Sequence, residues 1–138
     1  MSEEIHYETF SKKMHERFPL MFSKPYGGFD VGEGWYDIVE SLCANIQSHM
    51  DWNNRESQVV PQVIVEQIKE KFGGLRFYYQ GGDDTISGMV RMAEAWASTS
   101  CETCGNKGIQ RGGGWVRTLC DKHEEERQLI MNERKENV

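Results

Sequence analysis

Hydrophobic positions recur with a helical period in three stretches of the chain. The clearest is GWYDIVESLCANIQSHM, where apolar residues follow i, i+3, i+4, i+7, i+8 and i+11, one face of an amphipathic helix. The pattern returns in DDTISGMVRMAEAWASTS, where we expect Asp84 or Thr85 to cap the helix. A looser stripe in EEIHYETFSKKMHERFPLMF predicts a helix that Pro19 ends. The two clear stripes predict buried faces made of Trp35, Ile38, Val39, Leu42, Cys43 and Ile46, and of Ile86, Met89, Val90, Ala93, Trp96 and Ala97.

Between GWYDIVESLCANIQSHM and DDTISGMVRMAEAWASTS, the spacing of apolar residues changes from the helical period to that of a β-strand. Apolar residues alternate on both sides of two adjacent glycines, at Val63, Val65, Leu75, Phe77 and Tyr79. Gly73-Gly74 would supply the positive φ angles of a tight turn, which predicts a β-hairpin. The spacing of Ile64 and Ile68 leaves an alternative in which 62–72 is a helix capped by Gly73. We prefer the hairpin because its second arm is rich in β-forming residues.

The order of helices and strands predicts an α+β fold, with helices packed on a small antiparallel sheet. Residues 1–100 would form the core of helix, glycine-rich loop, helix, hairpin and helix. Residues 101–138 would add a metal-binding hairpin and a charged terminal helix, packed on the core as one unit. The stretch SKPYGGFDVGEG lacks periodicity and predicts a loop.

The cysteines and one histidine near the C-terminus follow the pattern C-x2-C-x15-C-x2-H. Cys101, Cys104, Cys120 and His123 offer three thiolates and an imidazole, the ligands that tetrahedral Zn²⁺ takes in structural sites. Cys120 and His123 would lie one turn apart at the start of the last helix. A knuckle, a hairpin and a helix that carries two ligands resemble a treble-clef zinc finger.

Two other interpretations of these cysteines remain open. A redox C-x-x-C pair would leave no role for Cys120 and His123, and a disulfide would need an oxidising compartment. Four protein ligands would close the zinc shell, which predicts a structural rather than a catalytic ion. Glu102, between the first two ligands, is weak evidence for a general base. Cys43 lies on an apolar stripe, and we expect a buried thiol there.

Charge and hydropathy narrow the classes of function. The formal net charge is −6, and residues 1–60 carry ten acidic and five basic side chains. No segment forms a basic stripe, which counts against phosphate-backbone binding as the main task. The sequence has neither an apolar run of membrane-spanning length nor a visible signal peptide, so we expect a cytoplasmic protein without a membrane partner.

Outside the metal pattern, Arg76, Tyr78 and Trp35 form our candidate surface for a ligand or partner. An arginine beside an aromatic residue can bind a carboxylate, a phosphate or a stacked base. In a purely structural role, Arg76 would instead pair with Glu66 or Glu70 across the hairpin. The loop PYGGFDVGEGW invites a phosphate-binding interpretation, but it matches no phosphate-loop motif, and we favour a plain connection.

The motifs QIKEKFGGLRFYY, CETCG and GGGWVRTLCDKH together resemble a group of small proteins of tailed phages and prophages. The resemblance covers roughly residues 34–123 and implies an α+β domain with a zinc finger, made in a bacterial host. It implies no catalytic residues. A binding protein for a host protein, including an immune factor, is the function it favours.

Two alternatives come from the residues themselves. A nucleic-acid-binding finger would use Lys107, Arg111, Arg117 and Lys122 as phosphate contacts. Binding or hydrolysis of a small nucleotide would use Arg76, Tyr78 and the glycine loop. Whether the protein is an enzyme stays open, with binding preferred, because the sequence contains no G-x-S-x-G or H-E-x-x-H motif.

Overall fold

The computed structural model describes residues 3–137. The predicted parts 1–100 and 101–138 therefore extend beyond the described residues at positions 1, 2 and 138. The described chain contains four α-helices: α1 (Glu3–Arg17), α2 (Tyr36–Asn53), α3 (Asp84–Ala97) and α4 (Asp121–Glu136). A 3-10 turn, Glu33–Trp35, leads into α2. The five strands are β1 (Phe29–Asp30), β2 (Ile64–Lys71), β3 (Gly74–Gln80), β4 (Ile109–Arg111) and β5 (Arg117–Leu119). The predicted α+β class is confirmed.

The larger sheet has the strand order β1-β2-β3 and is mixed rather than antiparallel. The predicted pairing of β2 with β3 is antiparallel, but β1 runs parallel to β2, with Phe29 opposite Ile68. The prediction of a plain loop over this glycine-rich stretch was therefore wrong at Phe29–Asp30. Phe29 is 2% exposed, and burial of its ring explains why so short a strand is held at the sheet.

The β2–β3 hairpin excludes the alternative helix over 62–72, and its turn differs from the predicted one. Lys71 pairs with Gly74, so the two loop residues are Phe72 and Gly73 rather than Gly73 and Gly74. Both have positive φ, 55° and 77°, as a two-residue turn that follows the twist of the strands requires. A bulky residue rarely adopts the left-handed region, so the sequence did not indicate Phe72 as a turn residue.

The core lies between the helices and the β2–β3 hairpin. α2 buries the predicted stripe of Ile38, Val39, Leu42, Cys43 and Ile46, and α3 buries Ile86, Val90, Ala93 and Ala97. The predicted burial of Trp96 was wrong, since its side chain is 48% exposed at the edge of the α3 stripe. The predicted cap was displaced by one residue, because Asp83 rather than Asp84 or Thr85 accepts the hydrogen bond from the Ile86 N–H.

The C-terminal segment consists of a knuckle at 101–105, the small β4–β5 sheet and α4. The predicted hairpin of this segment is formed by β4 and β5, which pair antiparallel. Among the described residues of this segment, the buried apolar side chains are those of Cys101 and Leu119. The division into 1–100 and 101–138 stays a prediction. None of the described helices is both long and apolar enough to span a membrane.

Candidate metal centre

The four predicted ligands are brought together by two short pieces of backbone. Cys101 and Cys104 lie on the knuckle, where the Gly105 N–H donates to the Cys101 carbonyl over 2.8 Å. Gly105 has a φ of +81°, which a glycine adopts without steric cost. Cys120 is the N-cap of α4, and His123 lies one turn into the helix. The spacing of each pair is thus set locally, by a turn and by a helix.

The ligand atoms form a compact group that fits a metal ion. The three sulfurs and His123 Nδ1 all lie within 4.8 Å of one another. Cys104 Sγ is 3.8 Å from Cys120 Sγ, and His123 Nδ1 is 3.6 Å from Cys101 Sγ and 3.1 Å from Cys120 Sγ. Tetrahedral zinc, with bonds of about 2.3 Å to sulfur and about 2.0 Å to nitrogen, would need ligand atoms roughly 3.5–3.8 Å apart. The cluster can therefore hold a metal ion of this size.

The electrostatics of the thiols also suit a cation. Burial raises the pKa of the Cys101 thiol, but backbone hydrogen bonds from Cys120, Cys104 and Thr103 outweigh burial and lower the pKa to about 6. The pKa of the Cys104 thiol is instead raised, by burial and by the neighbouring sulfurs. Sulfurs this close repel one another when all are ionised, so a bound cation would stabilise the fully deprotonated set.

The orientation of the histidine is consistent with a ligand role. Nδ1 faces the sulfurs, while Nε2 lies 3.8 Å from Glu126 Oε2, one turn further along α4. Metal-binding histidines commonly direct their second ring nitrogen at a carboxylate, which fixes the ring and its tautomer. Glu126 was not singled out from the sequence, although its i, i+3 position relative to His123 was the available signal.

Glu102, between the first two ligands, is a structural residue. Its Oε1 accepts a 2.9 Å hydrogen bond from Arg117 Nε, and its Oε2 accepts a 3.0 Å bond from the Thr118 backbone N–H. The residue is only 6% exposed. With both oxygens engaged, Glu102 ties the knuckle to β5 and is poorly placed to act as a general base.

The glycine loop before α2 packs directly on the knuckle. A Cβ built on Gly34 would lie 2.2 Å from the Cys101 carbonyl oxygen, and one on Gly32 would lie 2.1 Å from that of Glu102. The Gly34 N–H donates to the Glu102 carbonyl over 3.0 Å. These glycines therefore allow the backbones to touch, and the loop is occupied by the knuckle rather than open to a phosphate. The G-x-G spacing was the sequence signal for this contact.

The prediction that Trp35 forms part of a ligand or partner surface was wrong. Its side chain is 0% exposed, and Nε1 donates to the Ser100 carbonyl over 2.9 Å, immediately before the first metal ligand. The indole thus packs in the core while anchoring the knuckle. Cys43 is also 0% exposed, and burial raises the pKa of its thiol, as expected for a core residue.

The remaining candidates are the ligand-surface residues Arg76 and Tyr78 and the four predicted phosphate contacts. Arg76 and Tyr78 lie on the outer face of the hairpin, and Arg76 forms no ion pair with Glu66 or Glu70 within the described chain. Two of the four predicted phosphate contacts are occupied by carboxylates of the protein itself. Arg111 contacts Asp121 and Glu124, and Arg117 contacts Glu102, whereas the side chains of Lys107 and Lys122 are exposed.

Comparison with known proteins gave no relatives. No family model, curated protein or solved structure matches this chain. The resemblance to small phage proteins thus stays a prediction from the three motifs.

Proposed function

We propose that this protein binds a structural zinc ion and works by binding another protein. The observation that carries the zinc assignment is the cluster of three sulfurs and one imidazole nitrogen within 4.8 Å. Thiolates and imidazole together favour zinc among the common divalent ions, and the resulting arrangement would be treble-clef-like. Bound zinc would cross-link the knuckle to α4 through Cys101, Cys104, Cys120 and His123.

A structural ion is favoured over a catalytic one by the surroundings of the cluster. Four protein ligands leave no open position for water at a tetrahedral ion. Glu102, which follows the first predicted ligand in sequence, has both oxygens in hydrogen bonds. The metal would therefore stabilise a segment that buries few apolar side chains.

A protein partner is favoured over a polynucleotide by charge. The net charge of −6 opposes a polyanion over most of the surface. The C-terminal segment 101–137 is called the finger below. Its cations Arg111 and Arg117 are neutralised by ion pairs within the protein. The packing of Gly34 on the knuckle also disfavours a nucleotide at the glycine loop. A host protein of a bacterium is the partner that the phage resemblance suggests.

Two measurements test these statements separately. Native mass spectrometry of the purified protein should show one zinc ion per chain, and metal-free protein in which 101–137 is protected from hydrogen exchange would refute the zinc assignment. Affinity capture from bacterial lysate, with and without nuclease, tests the partner class. A captured protein that survives nuclease supports the proposal, whereas partners lost on nuclease treatment would favour the nucleic-acid alternative.

A further inference from the structure

We propose that the outer face of the β2–β3 hairpin, near its turn, binds a short acidic segment of the partner; this inference rests on the proposed function. We call the five residues concerned the hairpin patch: Lys69, Lys71, Phe72, Arg76 and Tyr78. They combine three cations with two exposed aromatic rings. Such a surface is complementary to carboxylates that flank an apolar side chain.

The three cations are held close together by the pairing of the strands. Lys69 lies opposite Arg76, and Lys71 lies opposite Gly74. The Arg76 guanidinium extends back over Gly74, since a Cβ there would lie 2.8 Å from Nη1. Nη1 also donates to the Leu75 carbonyl over 3.2 Å, which fixes the side chain. The Arg76 guanidinium therefore lies along β3 toward the turn, beside Gly74, whose partner on β2 is Lys71.

Within the described chain, the three cations of this cluster are unpaired, although Asp30 lies opposite Lys69 in the strand register. None of the three cations forms an ion pair with a described residue. Glu70, which lies between the lysines in sequence, accepts a 2.7 Å hydrogen bond from the Gly73 N–H. Three unpaired cations side by side repel one another in a protein with an excess of acids, and an acidic ligand would relieve that repulsion.

The aromatic rings flank the cations and are exposed. Tyr78 is 42% exposed, with Lys69 Nζ 5.9 Å from the centre of its ring. Phe72 is 67% exposed at the tip of the turn, with Lys71 Nζ 5.8 Å from its ring. Exposed aromatic rings beside cations are typical of residues that dominate binding energy at protein interfaces.

The backbone of Phe72 gives an independent reason to assign it a role in binding. Its φ of 55° is unfavourable for a bulky residue, and glycine would adopt it without strain. The turn is fixed from the finger side, because Gln110 Nε2 donates to the Phe72 carbonyl over 3.0 Å and Thr118 Oγ1 to the Gly73 carbonyl over 2.6 Å. The finger thereby presents an apolar ring to solvent in a strained conformation.

The extent of the patch favours a peptide over a polynucleotide. Asp30 lies beside Lys69 on β1, and Glu66 lies at the β-bulge of β2, so carboxylates border the far end of the patch. A phosphate backbone running along the strands would meet these acids. A short acidic segment centred on Lys71 and Arg76 near the turn would meet fewer of these acids than a phosphate backbone would.

The test measures fluorescence anisotropy of a labelled short poly-glutamate peptide with the zinc-loaded full chain. A triple variant, Lys69→Gln, Lys71→Gln and Arg76→Gln, should weaken binding about tenfold, since exposed charges contribute roughly twofold each. The matched control removes three positive charges elsewhere, by Lys12→Gln, Lys24→Gln and Lys135→Gln, and should retain the wild-type affinity. Equal losses in both triple variants would refute a localised site.

Two further arms complete the test. With the same label on a peptide that has one leucine among its glutamates, Phe72→Gly should weaken binding about threefold while leaving the fold at least as stable, because the turn strain is relieved. A labelled oligothymidylate that binds more tightly than either peptide, through the same residues, would overturn the peptide assignment. Zinc content is measured on each sample, so a folded, zinc-loaded chain that ignores the peptides refutes the patch and leaves the zinc assignment intact.

Discussion

The helices α2 and α4 have similar lengths but differ in what holds them in place. α2 has 18 residues and buries six of them, in a core shared with α3 and the β2–β3 hairpin. α4 has 16 residues and buries none. Two of the four potential metal ligands, Cys120 and His123, lie at its first turn. Apolar burial can therefore account for the position of α2, whereas α4 depends on polar contacts and on the proposed zinc ion.

The difference extends to the two parts of the chain that contain these helices. The N-terminal part has a continuous cluster of buried apolar residues. The C-terminal part is joined to it by backbone contacts: the glycine loop on the knuckle, and the Phe72-Gly73 turn on β5. Each class of contact can be removed separately, and the predictions below do so in order of decreasing effect.

The largest effect is expected from loss of a metal ligand. Cys101→Ser, or a strong chelator, should unfold the knuckle and α4 while the apolar core remains folded. The metal contribution to be lost is on the order of 10 kcal/mol. Hydrogen exchange should show loss of protection in 101–137, together with loss of helical circular dichroism. Cys43→Ala is the control, because it removes a buried thiol from the core and should leave one zinc ion per chain. If α4 remained protected from hydrogen exchange in the metal-free protein, its position would not depend on zinc, and the contrast with α2 would be refuted.

The next largest effect should come from the contact between the two parts. Gly34→Ala would place a methyl group 2.2 Å from the Cys101 carbonyl oxygen, so the knuckle must move. We expect a loss of roughly 3 kcal/mol in the free energy of unfolding, together with weaker zinc binding.

Gly88→Ala is the matched control for that substitution. Gly88 lies within α3, and a Cβ there meets nothing within 4 Å. Helix propensity should make this variant about 0.5–1 kcal/mol more stable than the wild type. Urea denaturation of both variants measures whether each substitution raises or lowers the free energy of unfolding. Equal changes in the two variants would show that the Gly34 contact is unimportant.

A smaller effect is expected at the second contact. Thr118→Val keeps the shape of a buried side chain but removes the 2.6 Å hydrogen bond to the Gly73 carbonyl. The expected cost is about 1–2 kcal/mol, since that carbonyl loses its side-chain donor. Hydrogen exchange should report faster opening of the β2–β3 turn and of β5, with α2 unchanged. Faster exchange in α2 as well would indicate that the two parts unfold as one.

The smallest effect concerns the hydrogen-bonded side chains of His49 and Asp83, which lie entirely within the core part. A hydrogen bond from His49, over 2.8 Å, and one from the Ile86 N–H lower the pKa of the Asp83 carboxyl. The stabilisation it gives is present above the unfolded pKa of about 3.9 and is lost as pH falls through the lower folded value. Asp83→Asn keeps a good N-cap, so it should cost only a few tenths of a kcal/mol near pH 7.

The pH dependence distinguishes this pair from the metal segment. The stability difference between wild type and Asp83→Asn should begin to shrink as pH falls below about 3.9 and should vanish below the lowered folded pKa, where the carboxyl is protonated in both states. Urea denaturation followed by Trp fluorescence at several pH values measures the difference. A gap that persists in acid would show that the charge of Asp83 is not its source.

Local patterns predicted much of the molecule correctly. The α2 and α3 stripes, the β2–β3 hairpin and the group of four potential ligands all follow from spacings of a few residues. The helical stripes predicted burial of both Trp35 and Trp96, which was correct for Trp35 and wrong for Trp96, and the separate assignment of Trp35 to a partner surface was also wrong. Trp35 is buried under the knuckle, whereas Trp96 is half exposed. Burial at such positions depends on which distant segment covers them, and the helical period carries no information about that.

The sequence by itself determined which residues can share a metal ion, because a C-x2-C turn and a first helical turn set each pair by local geometry. Only the tertiary structure decided how the finger meets the core. Contacts such as Gly34 on Cys101, Thr118 with Gly73 and Gln110 with Phe72 join residues 38 to 67 positions apart. Each of these contacts is made to the backbone carbonyl of a distant residue, and the sequence does not indicate which carbonyl a given side chain or glycine will meet.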